Sequence, residues 1–97
     1  MNLVHANFIA RGMTLEQARA GYEGCCIDAA GSFIDTTGIG RLAYFETPFN
    51  LKWRYHAAVE IDGMIHDLWG DEPLPLTEYM QQIGATEVDY PAESPAQ

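Results

Sequence analysis

Arg54-Tyr-His-Ala-Ala-Val-Glu-Ile-Asp-Gly-Met-Ile-His-Asp-Leu-Trp69 reads as a β-hairpin. Two runs rich in β-branched and aromatic residues flank Asp62-Gly63, and Asp-Gly is a strong signal for a type I′ turn, whose two central residues both need positive φ. A two-residue turn fixes the register. Counting outward, Ile61 faces Met64, Val59 faces His66, Ala58 faces Asp67 and His56 faces Trp69. His56 and Asp67 then lie diagonally on one face, within reach of each other.

The segments around the hairpin follow from local signals. Arg41-Leu-Ala-Tyr-Phe-Glu-Thr47 predicts a first strand, Pro48-Phe-Asn50 a turn, and residues 53–61 and 64–69 the second and third strands. Upstream, Thr14-Leu-Glu-Gln17 matches a capping box, which predicts a helix over about 15–22 that stops at Gly24. A second helix is expected over about 26–35. Asp28 sits in its first turn, Ala29, Ala30, Phe33 and Ile34 give it an apolar face, and residues 36–40 end it. Residues 1–13 show neither helical nor strand period. Downstream, residues 70–75 form a rigid acidic loop, Thr77 caps a short helix to about residue 83 with Gly84 beyond it, residues 85–90 add an edge strand, and 91–97 form a frayed tail. The expected fold is α+β in a single domain over 1–97: two N-terminal helices, a three- to four-stranded antiparallel sheet with a central Asp-Gly hairpin, and a short C-terminal helix.

Ninety-seven residues, 47% of them apolar, allow one modest core. Fourteen acids against five bases give a net charge of −9, which argues against direct binding of DNA or RNA and suits a basic protein or peptide partner. No apolar run approaches a membrane span, residues 1–13 lack a signal-peptide core, and the expected compartment is the cytoplasm. Two adjacent cysteines read as reduced thiols rather than a disulfide framework. No metal-ligand spacing is present, and neither a metal nor another cofactor is expected.

Chemistry concentrates in Cys26, His56 and Asp67. A thiol at a helix start gains from the dipole, and a nearby imidazole lowers its pKa further, so Cys26 is the candidate nucleophile, with Cys25 as its competitor. His56 is the candidate general base, and Asp67 the carboxylate that holds its tautomer and stabilises the imidazolium. The Cys26 amide is one candidate oxyanion donor. Gln17 is a second, although its capping role accounts for it equally. Trp69, opposite His56, shields the imidazole or is ordinary apolar cover, and His66 is expected to pack with Val59, Ala57 and Leu68. Alternation sets Trp53, Tyr55, Ala57, Val59, Ile61, Met64 and Leu68 on one apolar face, and Arg54, His56, Glu60 and Asp67 on the other. The Cys26 helix should prefer the apolar face. Three outcomes are open: a sheet covered on both sides, a bulge that shifts the register, or a triad that does not assemble.

Gly24-x-Cys26-x-Asp28-Ala29, a short helix, Tyr55-His56-x-x-Val59, then Asp67-x-Trp69 and the Thr77-Glu-Tyr-Met helix resemble the small papain-like cysteine hydrolases and deamidases, over about residues 22–84. The resemblance implies hydrolysis of an amide, as a peptidase or glutamine deamidase, with Cys26 as nucleophile, His56 as base and Asp67 as orienter. In size and charge alone the chain also resembles the phage-encoded anti-CRISPR inhibitors. That likeness implies a protein without chemistry, whose carboxylates mimic nucleic acid and block a nucleic-acid-binding partner.

Overall fold

The computed structural model describes residues 1–91; the tail expected at 91–97 falls, from residue 92 on, outside the described residues. The elements run α1 (Leu3–Ala10), α2 (Leu15–Gly21), α3 (Cys26–Thr37), β1 (Arg41–Glu46), β2 (Tyr55–Ile61), β3 (Met64–His66), β4 (Leu74–Pro75), α4 (Leu76–Ile83) and β5 (Glu87–Asp89). The strands form one sheet in the order β4-β3-β2-β1-β5, antiparallel throughout. The class is α+β, as the sequence predicts, but the counts differ. Three helices precede the sheet rather than two, and the sheet has five strands rather than three or four.

The unexpected helix is α1. Leu3, Val4, Phe8 and Ile9 surround its axis, so no stripe is visible in the sequence; only Val4 and Phe8, one turn apart, are buried. Its start is fixed by Asn2, whose Oδ1 accepts from the Val4 and His5 amides at 3.0 and 3.1 Å. The capping box of α2 forms as read: Thr14 Oγ1 accepts from the Gln17 amide and Gln17 Oε1 from the Thr14 amide, both at 3.0 Å. Helix α3 runs two residues past its expected end, to Thr37, and is capped by Gly38, which takes the left-handed conformation at φ 69°. The final helix is not terminal. It starts at Leu76 with Pro75 in the cap position, where no side chain caps it; Thr77 lies inside its first turn, and β5 follows. The acidic loop before it contains the short strand β4.

The hairpin turn has φ of 52° at Asp62 and 82° at Gly63, the positive pair a type I′ turn requires. Ile61↔Met64 and Val59↔His66 pair as counted, with no bulge between β2 and β3. The strands are shorter than expected: β2 starts at Tyr55 rather than 53, and β3 ends at His66 rather than 69, which leaves Asp67 and Trp69 in the following loop.

Both faces of the sheet are covered, the first of the three outcomes left open by alternation. Against one face, α1, α2 and α3 bury Val4, Phe8, Ala18, Ala29, Ala30 and Phe33 on Leu42, Ala57 and Val59. Against the other, Tyr79 and Ile83 of α4 pack on Ala43, Phe45, Ala58 and Ile65. Among the described residues no helix is long and apolar enough to cross a membrane.

Candidate active site

Strand parity aims His56 at the α4 face, between Trp53 and Asp67. The residue is 1% exposed. Its Nε2 meets Asp67 Oδ2 at 2.9 Å, so the diagonal contact expected from the hairpin is present although Asp67 lies one residue past β3. Asp67 Oδ2 also accepts from the Tyr79 hydroxyl at 2.6 Å, and Oδ1 accepts from the Trp69 amide at 3.1 Å. The carboxylate therefore has three donors and one orientation.

The loop behind Asp67 is tied to the N-terminal helices. Asn2 Nδ2 donates to the carbonyls of Asp67 and Asp71 at 3.0 and 2.8 Å, and Arg19 Nε donates to the Leu68 carbonyl at 2.8 Å. Residues about fifty to seventy positions away thus fix the backbone that holds the acid.

The His56 ring is flanked by two indoles. Trp53 stacks on it at a centroid distance of 3.7 Å and an interplanar angle of 5°, and Trp69 meets it edge-on at 5.8 Å and 74°. Both exclude water, and a stacked indole favours an imidazolium through its π face. Alternation assigned Trp53 to the opposite face; because β2 begins only at Tyr55, strand parity does not bind Trp53, and its ring lies over His56.

Cys25 is exposed and occupies the N-cap position of α3, while Cys26 is the first residue of the helix and half-buried against the α3-side core. Cys26 is the thiol that shares a hollow with the imidazole. Burial by itself raises its pKa, but the proximity of the His56 imidazole and its charge, with the Ala57 amide, outweigh burial and the repulsion from Asp67, and its pKa lies below the usual thiol value. For His56, burial disfavours the charged form, yet the hydrogen bond to Asp67, the nearby Cys26 thiol and their negative charges push its pKa up to about 9. The two shifts run in the directions of a thiolate–imidazolium pair. Since Asp67 occupies Nε2, the ring nitrogen left for the thiol is Nδ1, which is buried and closes no hydrogen bond of ordinary geometry.

No side chain caps α3, so its first-turn amides, beginning with that of Cys26, have no side-chain acceptor. Gln17 is committed to its capping box and does not serve here. A hollow of about 270 Å³ opens beside Cys26 and His56, with Trp53 and Trp69 in its wall. Among the described residues no three His, Cys, Asp or Glu groups converge as metal ligands.

His66 has a structural role. Its Nδ1 accepts from the Leu3 amide at 3.0 Å, and burial, the N-terminal ammonium and His5 push its pKa down, so it stays neutral as an acceptor at the start of α1. The sequence reading missed Tyr79 and Asn2. The signal for Tyr79 was its place one turn from Ile83 on the buried side of a helix, where a tyrosine hydroxyl must find a partner. Asn2 carried no signal beyond its capping preference.

Neither a protein-family model, nor a curated protein, nor a solved structure matches the chain.

Proposed function

We propose that this protein is a small cysteine-dependent hydrolase that acts on an amide bond of a protein or peptide, as a peptidase or a glutamine deamidase. The observation that carries the reading is the division of the His56 ring: Asp67 takes Nε2, and buried Nδ1 remains for a thiol whose pKa is lowered. Cys26 attacks the amide carbonyl as thiolate, with its proton held at His56 Nδ1. The oxyanion gathers at the uncapped start of α3. The imidazolium returns its proton to the leaving nitrogen, the C–N bond breaks, and a thioester remains. Water, losing a proton to Nδ1, attacks the thioester, releases the acid and restores the thiol. Asp67 orients the ring and balances its charge. The resemblance of residues 22–84 to papain-like hydrolases points the same way. The adjacent free thiols Cys25 and Cys26 suit a reducing, cytoplasmic compartment.

Alkylation by iodoacetamide across pH 4–9, read by peptide mass spectrometry, tests this, with Cys25 as internal control. Cys26 should label at least about tenfold faster than Cys25 at pH 6, as thiolate-controlled reactivity demands. His56→Ala should abolish that difference, and Cys26→Ala should abolish amide hydrolysis. Equal, slow labelling of both thiols overturns the reading.

A second reading, an acidic inhibitor of the anti-CRISPR kind that mimics nucleic acid, draws on the outer edge of the sheet. Glu46 stands directly across from Glu87, and Asp89 follows two residues along β5. Like charges placed opposite one another destabilise a sheet, and a basic partner would relieve them. Charge reversal at Glu87 and Asp89 should then abolish capture of that partner, and capture should weaken steeply with salt.

A further inference from the structure

The chain has only five basic residues, and their placement is uneven. Arg11 is held by Asn7 and Ser32 on the helical side, and Arg41 pairs with Glu60 at 2.8 Å. The other three, Arg19, Lys52 and Arg54, line two adjoining hollows that share Cys26, Trp53 and Tyr55. Among the described residues none of these three pairs with a carboxylate. Arg19 is oriented by backbone carbonyls, those of Leu68 at 2.8 Å and Gly70 at 3.3 Å, which fix the guanidinium without neutralising it. Lys52 Nζ lies 5.5 Å from the centroid of the Trp53 ring, the same ring that stacks on His56. Glu23 and Asp28 line the same hollows, so bases outnumber acids there, whereas over the whole chain acids outnumber bases fourteen to five.

From this reversal of charge at the cleft we infer that the substrate carries a carboxylate beside the scissile amide, on an acidic side chain or at a chain terminus. The inference rests on the proposed hydrolase site. It also replaces the whole-chain charge as the guide to substrate: the long-range field of the protein attracts cations, but a substrate seated at Cys26 lies in hollows lined by Arg19, Lys52 and Arg54 against Glu23 and Asp28. Arg19 offers a fork with donors to spare, and Lys52 and Arg54, both exposed, add positive charge along the hollows.

Two reagents of nearly equal size separate this inference from the site itself. Iodoacetamide is neutral and reports thiolate reactivity; iodoacetate carries the carboxylate. At pH 6 and low salt, the iodoacetate-to-iodoacetamide rate ratio at Cys26 should exceed that of glutathione by about tenfold, the scale of electrostatic focusing in a cleft. The ratio should fall about two- to threefold in Lys52→Gln and in Arg54→Gln, and again in 0.5 M NaCl, where screening shortens to a few ångströms. A ratio equal to that of glutathione, or a high ratio that neither variant lowers, overturns the inference while leaving the thiolate reading intact. Slow reaction with both reagents overturns the thiolate reading and this inference with it. Protection from iodoacetamide identifies the source of the carboxylate. A blocked hexapeptide with a central Glu that protects Cys26 indicates a side chain. A Gln counterpart with a free C-terminus that protects indicates a terminal carboxylate. Equal protection by the fully blocked Gln peptide, or protection by none, overturns the inference.

Discussion

Compare the α3 side of the sheet with the α4 side. On the α3 side Ala29, Ala30 and Phe33 meet Ala57, Val59 and Leu42, and the described residues of this cluster are all apolar; Cys26 stands at its edge. On the α4 side the same strand, one residue out of phase, presents His56 to Asp67 and Tyr79 in an otherwise apolar layer. The first face is held by contact and by burial of area, which tolerates small changes in position. The second buries a charge that keeps its geometry only while every partner is present. The proposed nucleophile comes from one face and its proposed base from the other, joined around the start of β2. The two faces thereby meet at one candidate site.

Removing one group from each face tests this difference. Asp67→Ala leaves His56 Nε2, the Tyr79 hydroxyl and the Trp69 amide without their acceptor, and should cost about 3–5 kcal/mol, as breaking a buried pair does. It should also move the onset of Cys26 alkylation to higher pH. Phe33→Ala should cost a similar amount, about 3–5 kcal/mol in denaturant unfolding. In native protein, however, it should leave the alkylation profile where it was. If both substitutions move the profile equally, the two faces are not independent.

The pH dependence sharpens the comparison with a smaller effect. The folded pKa of His56 is raised to about 9, so the stability it contributes is fully present below the unfolded imidazole value of about 6.5 and is lost as the pH climbs through the folded value. The urea midpoint should therefore fall between pH 7 and 9. His56→Gln should flatten that fall, and a wild-type midpoint constant over this range would contradict a charged His56. The smallest effect belongs to α2. Thr14→Ala removes the capping hydroxyl, should cost about 1 kcal/mol, and should leave Cys26 reactivity unaltered.

What could be read without coordinates was local. The positive φ pair at Asp62-Gly63, the reciprocal bonds of Thr14 and Gln17, and the helix stop at Gly84 are each written in two to four neighbouring residues. The reach of His56 to Asp67 followed as well, because a two-residue turn fixes which positions share a face. Other features depend on chain that returns from far away. Asn2 meets the carbonyls of Asp67 and Asp71 only through the tertiary fold, and no period marks α1 because its outward Ile9 is as apolar as its inward Phe8. Cys25 and Cys26 are indistinguishable as letters; the N-cap geometry exposes the first and turns the second onto the core and toward His56. The sequence by itself determined the turn, the caps, the α+β class and the face that His56 and Asp67 share, since backbone sterics and strand alternation act over a few residues. The tertiary structure alone decided that this polar face is buried, because only the return of α4, with the Tyr79 hydroxyl positioned on Asp67, provides the cover and the partner that a charge needs away from water.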